Sequence, residues 1–398
     1  MPANLAETAA YNLTPLASLL LLGALLATGP ALWVWWRNRH GPVQHRRQAL
    51  RVFTLFLTFD LVIFGAFTRL TDSGLGCPDW PGCYGSTSPW GAGGHIAAAQ
   101  EVLPDGPVTH AKAWIEMLHR YLATVVGALI VWLTALAWLD WRRQRGLTNP
   151  AGLASAESPW LASFTLFWVC LQGAFGALTV TMKLFPAIVT LHLLGALVLL
   201  VLLCVPIART ATPRTTMVIL SRGQLGLLVL SSGLLVLQVA LGGWVSSNYA
   251  VLACSDFPTC QGSWWPLMDF RQGFEVWRGL GLTATGEVIG FAALTAIHYT
   301  HRLLAYLVLA FLIWLAWQLN RSSQWRQLSR VLAALAGLQL ATGLSNVVLG
   351  WPLLAALLHT GGAAALVLTL TWVAARVDWR VSLGRKVVSE PFQPGVSV

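Results

Sequence analysis

Apolar stretches of roughly 20 residues, the length that spans a bilayer as an α-helix, recur along the whole chain. Short runs of polar and charged residues separate them. The expected fold class is therefore an all-α integral membrane protein of about nine transmembrane helices, with no separate soluble domain. The pattern places these helices at residues 14–36, 51–70, 112–139, 160–181, 187–208, 223–247, 287–318, 331–350 and 352–375.

The amino-acid composition agrees with this prediction and argues against nucleic-acid binding. Of the 398 residues, 56% are hydrophobic and 10% are charged, whereas a soluble domain has roughly 25% charged residues. The net charge of +10 would suggest nucleic acid as a partner in a soluble protein. Here the basic residues lie in alternate loops, so membrane orientation explains them better and no nucleic-acid partner is expected.

The alternation of charge predicts the orientation of the chain. Under the positive-inside rule the basic loops and the 376–398 tail are cytoplasmic, and the N-terminus and loops 71–111, 182–186 and 248–286 face outward across a bacterial inner membrane. The first apolar stretch resembles a signal peptide, but its length, the uncharged or acidic residues before it and the basic cluster after it favour a retained helix. The basic residues on the cytoplasmic side are Arg37, Arg39, Arg46, Arg47, Arg51, Arg142, Arg143, Arg145, Arg209, Arg214, Arg222, Arg321, Arg326, Arg330, Arg376, Arg380, Arg385 and Lys386.

Two outer loops repeat one another. Cys77-Pro-Asp-Trp-Pro-Gly-Cys83-Tyr-Gly-Ser and Cys254-Ser-Asp-Phe-Pro-Thr-Cys260-Gln-Gly-Ser are identical at six of ten positions, and Gly65 and Gly242 match in the helices before them. The chain therefore divides into two related four-helix units, 51–208 and 223–375, preceded by an extra helix and a basic loop at 1–50. An even number of crossings separates the units, which makes them parallel repeats.

Four histidines form two matched pairs in these units. His119 and His301 each follow an outer loop, and His192 and His359 lie two helices later, all within roughly two turns of the outer helix ends. Two imidazoles that face each other across a helical bundle are typical of a bis-histidine heme site. Four isolated core histidines are the alternative, which matched depth in a repeat disfavours. Zinc would need three or four close ligands per site.

The other five histidines carry weaker signals. Four lie in loops and are expected to be solvated or on the surface. His298 lies in a helix and is interpreted as a packed core residue. The four in loops are His40, His45, His95 and His110.

Charged residues flank the first histidine of each pair. Arg120 and Arg302 follow His119 and His301 and suit heme propionates, with interfacial snorkelling or helix capping equally open. Glu116 lies three residues before His119 on the same helix face, where the second half has His298. A carboxylate at one pocket can move protons or hold a cationic intermediate; the alternative is a surface glutamate.

Six cysteines are present, four of them in the repeated loops. The outer face is oxidising, so Cys77–Cys83 and Cys254–Cys260 are predicted disulfides, structural or labile. A redox-active dithiol and metal binding are the alternatives. Cys170 and Cys204 lie in predicted helices and are expected to be buried.

The run Arg69-Leu-Thr-Asp-Ser-Gly-Leu-Gly-Cys77-Pro-Asp-Trp-Pro-Gly-Cys83, followed by Glu116-Met-Leu-His119-Arg120, closely resembles the heme A synthase family. The resemblance covers about residues 51–375. It implies that His301 and His359 bind a b-type heme cofactor through its iron, and that His119 and His192 face the iron of the substrate, heme O. The metal would be heme iron only.

The resemblance also implies a reaction and partners. Glu116 matches the family's acidic residue in the substrate pocket. The C8 methyl of heme O would be oxidised by successive hydroxylations and loss of water to the formyl group of heme A, for cytochrome oxidase. Heme O synthase, cytochrome oxidase assembly factors and a second copy of the chain are expected partners.

The residues by themselves leave rival functions open. If the protein were a b-type cytochrome that only passes electrons, its two halves should have equivalent residues around the histidines. The difference between Glu116 and His298 disfavours this function. A heme carrier or assembly factor predicts heme binding without product. A transporter built on parallel repeats would favour polar groups at the midplane, whereas these histidines lie near the outer surface.

Overall fold

A computed structural model describes residues 14–145, 158–210 and 217–383. These parts of the chain are helical and contain no β-strand beyond isolated bridges. The helices are α1 Thr14–Arg37, α2 Val43–Leu70, α3 Gly93–Val102, α4 His110–Arg145, α5 Pro159–Thr181, α6 Pro186–Thr210, α7 Arg222–Ser247, α8 Phe270–Gly273, α9 Phe291–Asn320, α10 Arg326–Val348, α11 Leu353–Ala375 and α12 Trp379–Ser382.

Nine helices of the described ranges are long and apolar enough to cross a membrane: α1, α2, α4 to α7, and α9 to α11. The prediction of an all-α, multi-pass membrane protein is confirmed. The short helices α3 and α8 lie in the two long outer loops, where the apolar pattern predicts no membrane-spanning helix. The C-terminal segment beyond residue 383 lies outside the described residues.

Several helices extend beyond their predicted ends on the basic side. Helix α2 begins at Val43 rather than at residue 51, and α4 continues to Arg145 rather than ending at 139. Arg47 of α2 forms an ion pair with Asp140 of α4. A hydropathy pattern ends where charges begin, but a helix continues into the headgroup region when its long cationic side chains can reach water.

The packing forms two sets of four helices. Helices α2, α4, α5 and α6 pack around one another, as do α7, α9, α10 and α11, and the sets meet where α2 and α6 contact α7 and α11. A single apolar core joins the sets, with Leu200 of the first and Leu312 and Leu332 of the second almost fully buried. Helix α1 packs against the outside of α4 and α2.

The two cysteine loops fold alike, as their sequence repeat predicts. Gly85 and Gly262 both adopt φ +70°, a left-handed conformation that glycine takes without a Cβ clash. The backbone N–H of Gly85 donates to Asp79 at 2.7 Å, and that of Gly262 donates to Asp256 at 3.0 Å. The Thr259 hydroxyl and the backbone N–H groups of Gly262 and Gln261 lower the pKa of Asp256.

Both predicted disulfides are formed, Cys77–Cys83 and Cys254–Cys260, and all four sulfurs are buried. The expectation for the remaining two cysteines is half right. Cys204 is buried, but Cys170 is exposed on α5.

Candidate functional site

The second-half histidines face each other across the bundle. His301 of α9 and His359 of α11 have ring centroids 6.5 Å apart, with the ring planes at 78°. Metal–imidazole bonds of about 2 Å place two rings on opposite sides of one metal with their centres roughly 6 Å apart. The pair therefore fits the two axial positions of a single heme iron.

Polar side chains hold both rings of this pair. The Thr342 hydroxyl lies 2.9 Å from Nδ1 of His359. The Gln238 amide nitrogen lies 3.1 Å from Nδ1 and 3.4 Å from Nε2 of His301, and it donates to the carbonyl of that same residue at 3.1 Å. Metal-binding histidines are usually oriented through such contacts at the nitrogen that does not bind the metal.

The first-half histidines are more loosely held. His119 of α4 and His192 of α6 are partly exposed, as His301 and His359 are, but in the described part of the chain they lack polar partners of this kind. His119 stacks on Phe64, with ring centroids 6.3 Å apart. Nδ1 of His192 is buried and has no hydrogen-bond partner among the described residues.

The matched glycines explain how two helices approach the histidines. A Cβ at Gly65 of α2 would lie 3.0 Å from Nε2 of His119, and a Cβ at Gly242 of α7 would lie 3.0 Å from Cε1 of His301. A side chain at either position would press on the ring. The glycine repeat is therefore a property of the two histidine sites.

Glu116 is buried beside the first pair. Its residue is 4% exposed, so the alternative of a surface glutamate is wrong. The backbone N–H of Cys77 donates to Oε2 at 2.7 Å, and Arg120 pairs with Oε1. The carboxylate thus links the helix that carries His119 to the disulfide loop.

Both arginines hold the loop of their own half. Arg120 donates to the carbonyls of Pro81, at 3.2 Å, and Gly82. Arg302 donates to the carbonyls of Asp256 at 3.0 Å and Thr259 at 2.7 Å. The snorkelling alternative does not describe these contacts. Propionate binding stays a prediction, and the observed partners of both guanidinium groups are loop carbonyls.

His298, where the first half has Glu116, is a packed core residue as predicted. It is 5% exposed, and its Nδ1 lies 3.0 Å from the carbonyl of Ala250, to which it donates. The four histidines predicted to be solvated or on the surface are exposed: His40, His45, His95 and His110. In the described ranges no group of three or more His, Cys, Asp or Glu could hold a metal ion, so the zinc alternative has no ligand set.

Sequence reasoning missed the residues that contact the histidines. Gln238 and Thr342 read as ordinary polar residues of apolar helices. Extending the repeat alignment along the helices would have shown Leu61 opposite Gln238 and Phe175 opposite Thr342. A polar residue in one half opposite an apolar residue in the other, close to a histidine site, is the sequence signal that indicates these contacts.

Comparison with known proteins is consistent with this geometry. A family model described as cytochrome oxidase assembly protein (COX15-CtaA) matches residues 48–371. A heme A synthase of Shewanella oneidensis is 38% identical over 323 residues, which cover 80% of this chain and 93% of the relative.

More distant relatives have the same name. A heme A synthase of Halalkalibacterium halodurans is 27% identical, covering 82% of this chain and 96% of the relative. One of Caulobacter vibrioides is 28% identical, covering 82% of this chain and 93% of the relative. Because the family model spans both four-helix sets and all four paired histidines, the chain belongs to the COX15-CtaA family of cytochrome oxidase assembly proteins.

Proposed function

We propose that the protein is a heme A synthase, which oxidises the C8 methyl of heme O to the formyl group of heme A for cytochrome oxidase. Family membership and the names of the relatives support this proposal. The observation that carries it is one of geometry. Two matched histidine pairs are present, and a buried carboxylate, Glu116, lies beside only one of them.

The second half is proposed to hold the cofactor, a b-type heme, between His301 and His359. Their ring separation of 6.5 Å and their polar partners support a pair of histidines that would hold the cofactor permanently. When bound, such a heme would supply a redox centre for oxidation of the substrate. Arg302 keeps the adjacent disulfide loop closed over this half.

The first half is proposed to bind heme O at His119 and His192. These histidines orient the macrocycle, and Glu116 accepts protons released when the methyl group is oxidised. Arg120 and the Cys77 N–H hold the Glu116 carboxylate in a defined position. The second half has His298 at the matching position, and its Nδ1–H donates to the Ala250 carbonyl.

The rival functions predict that the two halves have equivalent side chains around their histidines. A b-type cytochrome without chemistry of its own, or a heme carrier, needs no carboxylate at one site alone. The network that joins Glu116, Arg120 and Cys77 has no counterpart at His298. The synthase accounts for this difference, and the rivals leave it unexplained.

The setting of the enzyme is also part of the proposal. The basic loops would face the cytoplasm, and the histidines and disulfide loops the outer side of a bacterial inner membrane. Heme O carries a long isoprenoid tail and would arrive from the bilayer or directly from heme O synthase. Cytochrome oxidase assembly factors would receive the product, and self-association of the chain is a further expectation.

The test is chromatography of hemes extracted from a host that makes heme O but not heme A, with and without this chain. Heme A, or its hydroxylated precursor, is expected only when the chain is expressed. A Glu116→Gln variant is the matched control, since it should retain b-type heme without forming product. Heme B and heme O alone, from an aerated host that expresses the wild-type chain, would overturn the proposal in favour of a cytochrome or a carrier.

A further inference from the structure

The two halves differ at the position of the repeat where Gln238 contacts His301. Helices α2 and α7 occupy matching positions in the repeat, where Gly65 aligns with Gly242. A Cβ at either glycine would lie 3.0 Å from the ring of His119 or His301. One helical turn earlier, α2 has Leu61 and α7 has Gln238. An apolar side chain in the first half thus stands where the second half has an amide.

The same difference occurs at the second histidine of each pair. Helices α5 and α10 match through Gly176 and Gly343, since a Cβ at these positions would lie 3.6 Å from Cε1 of His192 and 3.3 Å from Cε1 of His359. The residue before the glycine is Phe175 in the first half and Thr342 in the second. Both histidines of the second half therefore have a polar neighbour that their first-half counterparts lack.

The hydrogen bonds of Thr342 determine which nitrogen of His359 carries the proton. The Thr342 hydroxyl donates to the carbonyl of Leu338 at 2.7 Å, so towards Nδ1 of His359, at 2.9 Å, it accepts. Nδ1 then carries the hydrogen, and the lone pair of Nε2 is left for a metal.

Gln238 acts on His301 from the neighbouring helix α7. Its amide nitrogen contacts both the ring, at Nδ1, and the backbone carbonyl of the same residue. Its buried Oε1 has no partner among the described residues. The amide nitrogen of Gln238 thus ties the ring of His301 and the backbone of the same residue to helix α7.

The first-half rings have no such support. Nδ1 of His192 is buried without a partner, and in the described chain no hydrogen bond reaches a ring nitrogen of His119. Leu61 and Phe175, at the positions that match Gln238 and Thr342, have no hydrogen-bonding group. Among the described residues, no hydrogen bond therefore restricts the rotation of these rings.

We infer that Gln238 and Thr342 are positioning residues that make the second-half histidines a retentive heme site, and that Leu61 and Phe175 keep the first-half site exchangeable. Partners of this kind orient a metal-binding histidine and raise its basicity, and their loss weakens metal affinity roughly 10–100-fold. A permanently bound cofactor needs the tightly binding site at His301 and His359. A substrate that must leave as product needs the exchangeable site at His119 and His192. This inference rests on the proposed assignment of the two halves.

The test uses the full-length protein purified in detergent. Thr342→Val removes the acceptor with little change of shape, and Thr342→Ser restores it. Thr369→Val is the matched control, because the Thr369 hydroxyl bonds only the carbonyl of Ala365 in its own helix. The b-type heme bound per protein and its midpoint potential are measured for each variant.

Thr342→Val is expected to bind heme roughly 10–100-fold more weakly and to raise its midpoint potential, because the axial imidazole becomes a weaker donor. Thr342→Ser and Thr369→Val should match the wild type. An unchanged potential and heme content in Thr342→Val overturns the inference. So does an equal change in Thr369→Val or no recovery in Thr342→Ser, since either marks a general packing effect.

Two further variants separate this inference from the proposed function. His359→Ala that retains its b-type heme overturns the assignment of the cofactor site itself. His359→Ala without heme, together with an unaffected Thr342→Val, leaves that assignment intact and overturns only the positioning role. Conversely, Leu61→Gln should increase the heme O that co-purifies from a host making heme O, and no increase contradicts an exchangeable first-half site.

Discussion

Glu116→Gln separates the chemical role of Glu116 from its structural role. The amide has the shape of the carboxylate and keeps an oxygen that accepts the Cys77 N–H, 2.7 Å away in the wild type. It loses the negative charge opposite Arg120 and the ability to take up a proton. We therefore expect a folded protein that retains its b-type heme and forms little heme A.

The magnitude follows from the contacts. Truncation to alanine would leave a buried N–H unpaired, at about 1–3 kcal/mol, and would leave Arg120 without its partner, at about 3–5 kcal/mol. Glutamine avoids the first cost but not the second, so its rate must be compared per folded protein that holds b-type heme. Loss of a proton acceptor typically lowers a rate by about 10²–10⁴-fold, which corresponds to a barrier increase of about 3–5 kcal/mol. Normalising the rate to folded protein that holds b-type heme separates the effect on rate from the effect on stability.

The assay is the rate of heme A formation, followed by chromatography of extracted hemes and normalised to protein and to bound b-type heme. Glu101→Gln is the matched control, since Glu101 is an exposed carboxylate on α3 of the same outer loop. The control should have the wild-type rate. A wild-type rate in Glu116→Gln would refute a proton-accepting role, and simultaneous loss of b-type heme would refute the independence of the two sites.

Three further outcomes are expected. His301→Ala should lose the b-type heme absorbance while His119→Ala keeps it; equal loss in both variants would contradict the division of roles. Cys77→Ser, which opens a disulfide worth about 2 kcal/mol for so short a loop, should lower activity more than Cys254→Ser, because only the Cys77 N–H bonds Glu116; equal activities measured on folded protein would argue against this link. Gly242→Ala should lower heme content, because its Cβ would lie 3.0 Å from His301; unchanged heme content would show that α7 can move aside.

Much of the architecture was predictable because a bilayer imposes simple rules on a sequence. A spanning helix must be long and apolar, and an ionisable residue at membrane depth must have a reason to be there. The repeat then paired His119 with His192 and His301 with His359 without any structure. It also predicted two loops of one conformation, which Gly85 and Gly262 share.

The sequence predicts least well where a helix extends beyond the apolar region and where a side chain has several possible hydrogen-bond partners. The start of α2 at Val43 and the end of α4 at Arg145 lie among arginines, where hydropathy carries no signal. From the sequence, Arg120 and Arg302 could pair with heme propionates or with backbone carbonyls, since a guanidinium donates to either. Their proximity to the loop carbonyls depends on how each loop folds back onto its helix.

Sequence alone therefore determined the number of membrane-spanning helices, the repeat and the two histidine pairs, because these follow from apolar length and from residue matches along the chain. Only the tertiary structure decided what surrounds each pair. The Cys77 N–H reaches Glu116 from a loop 39 residues away, and Thr342 reaches His359 from the adjacent helix. Such contacts depend on helix rotation and approach, which no local pattern of residues encodes.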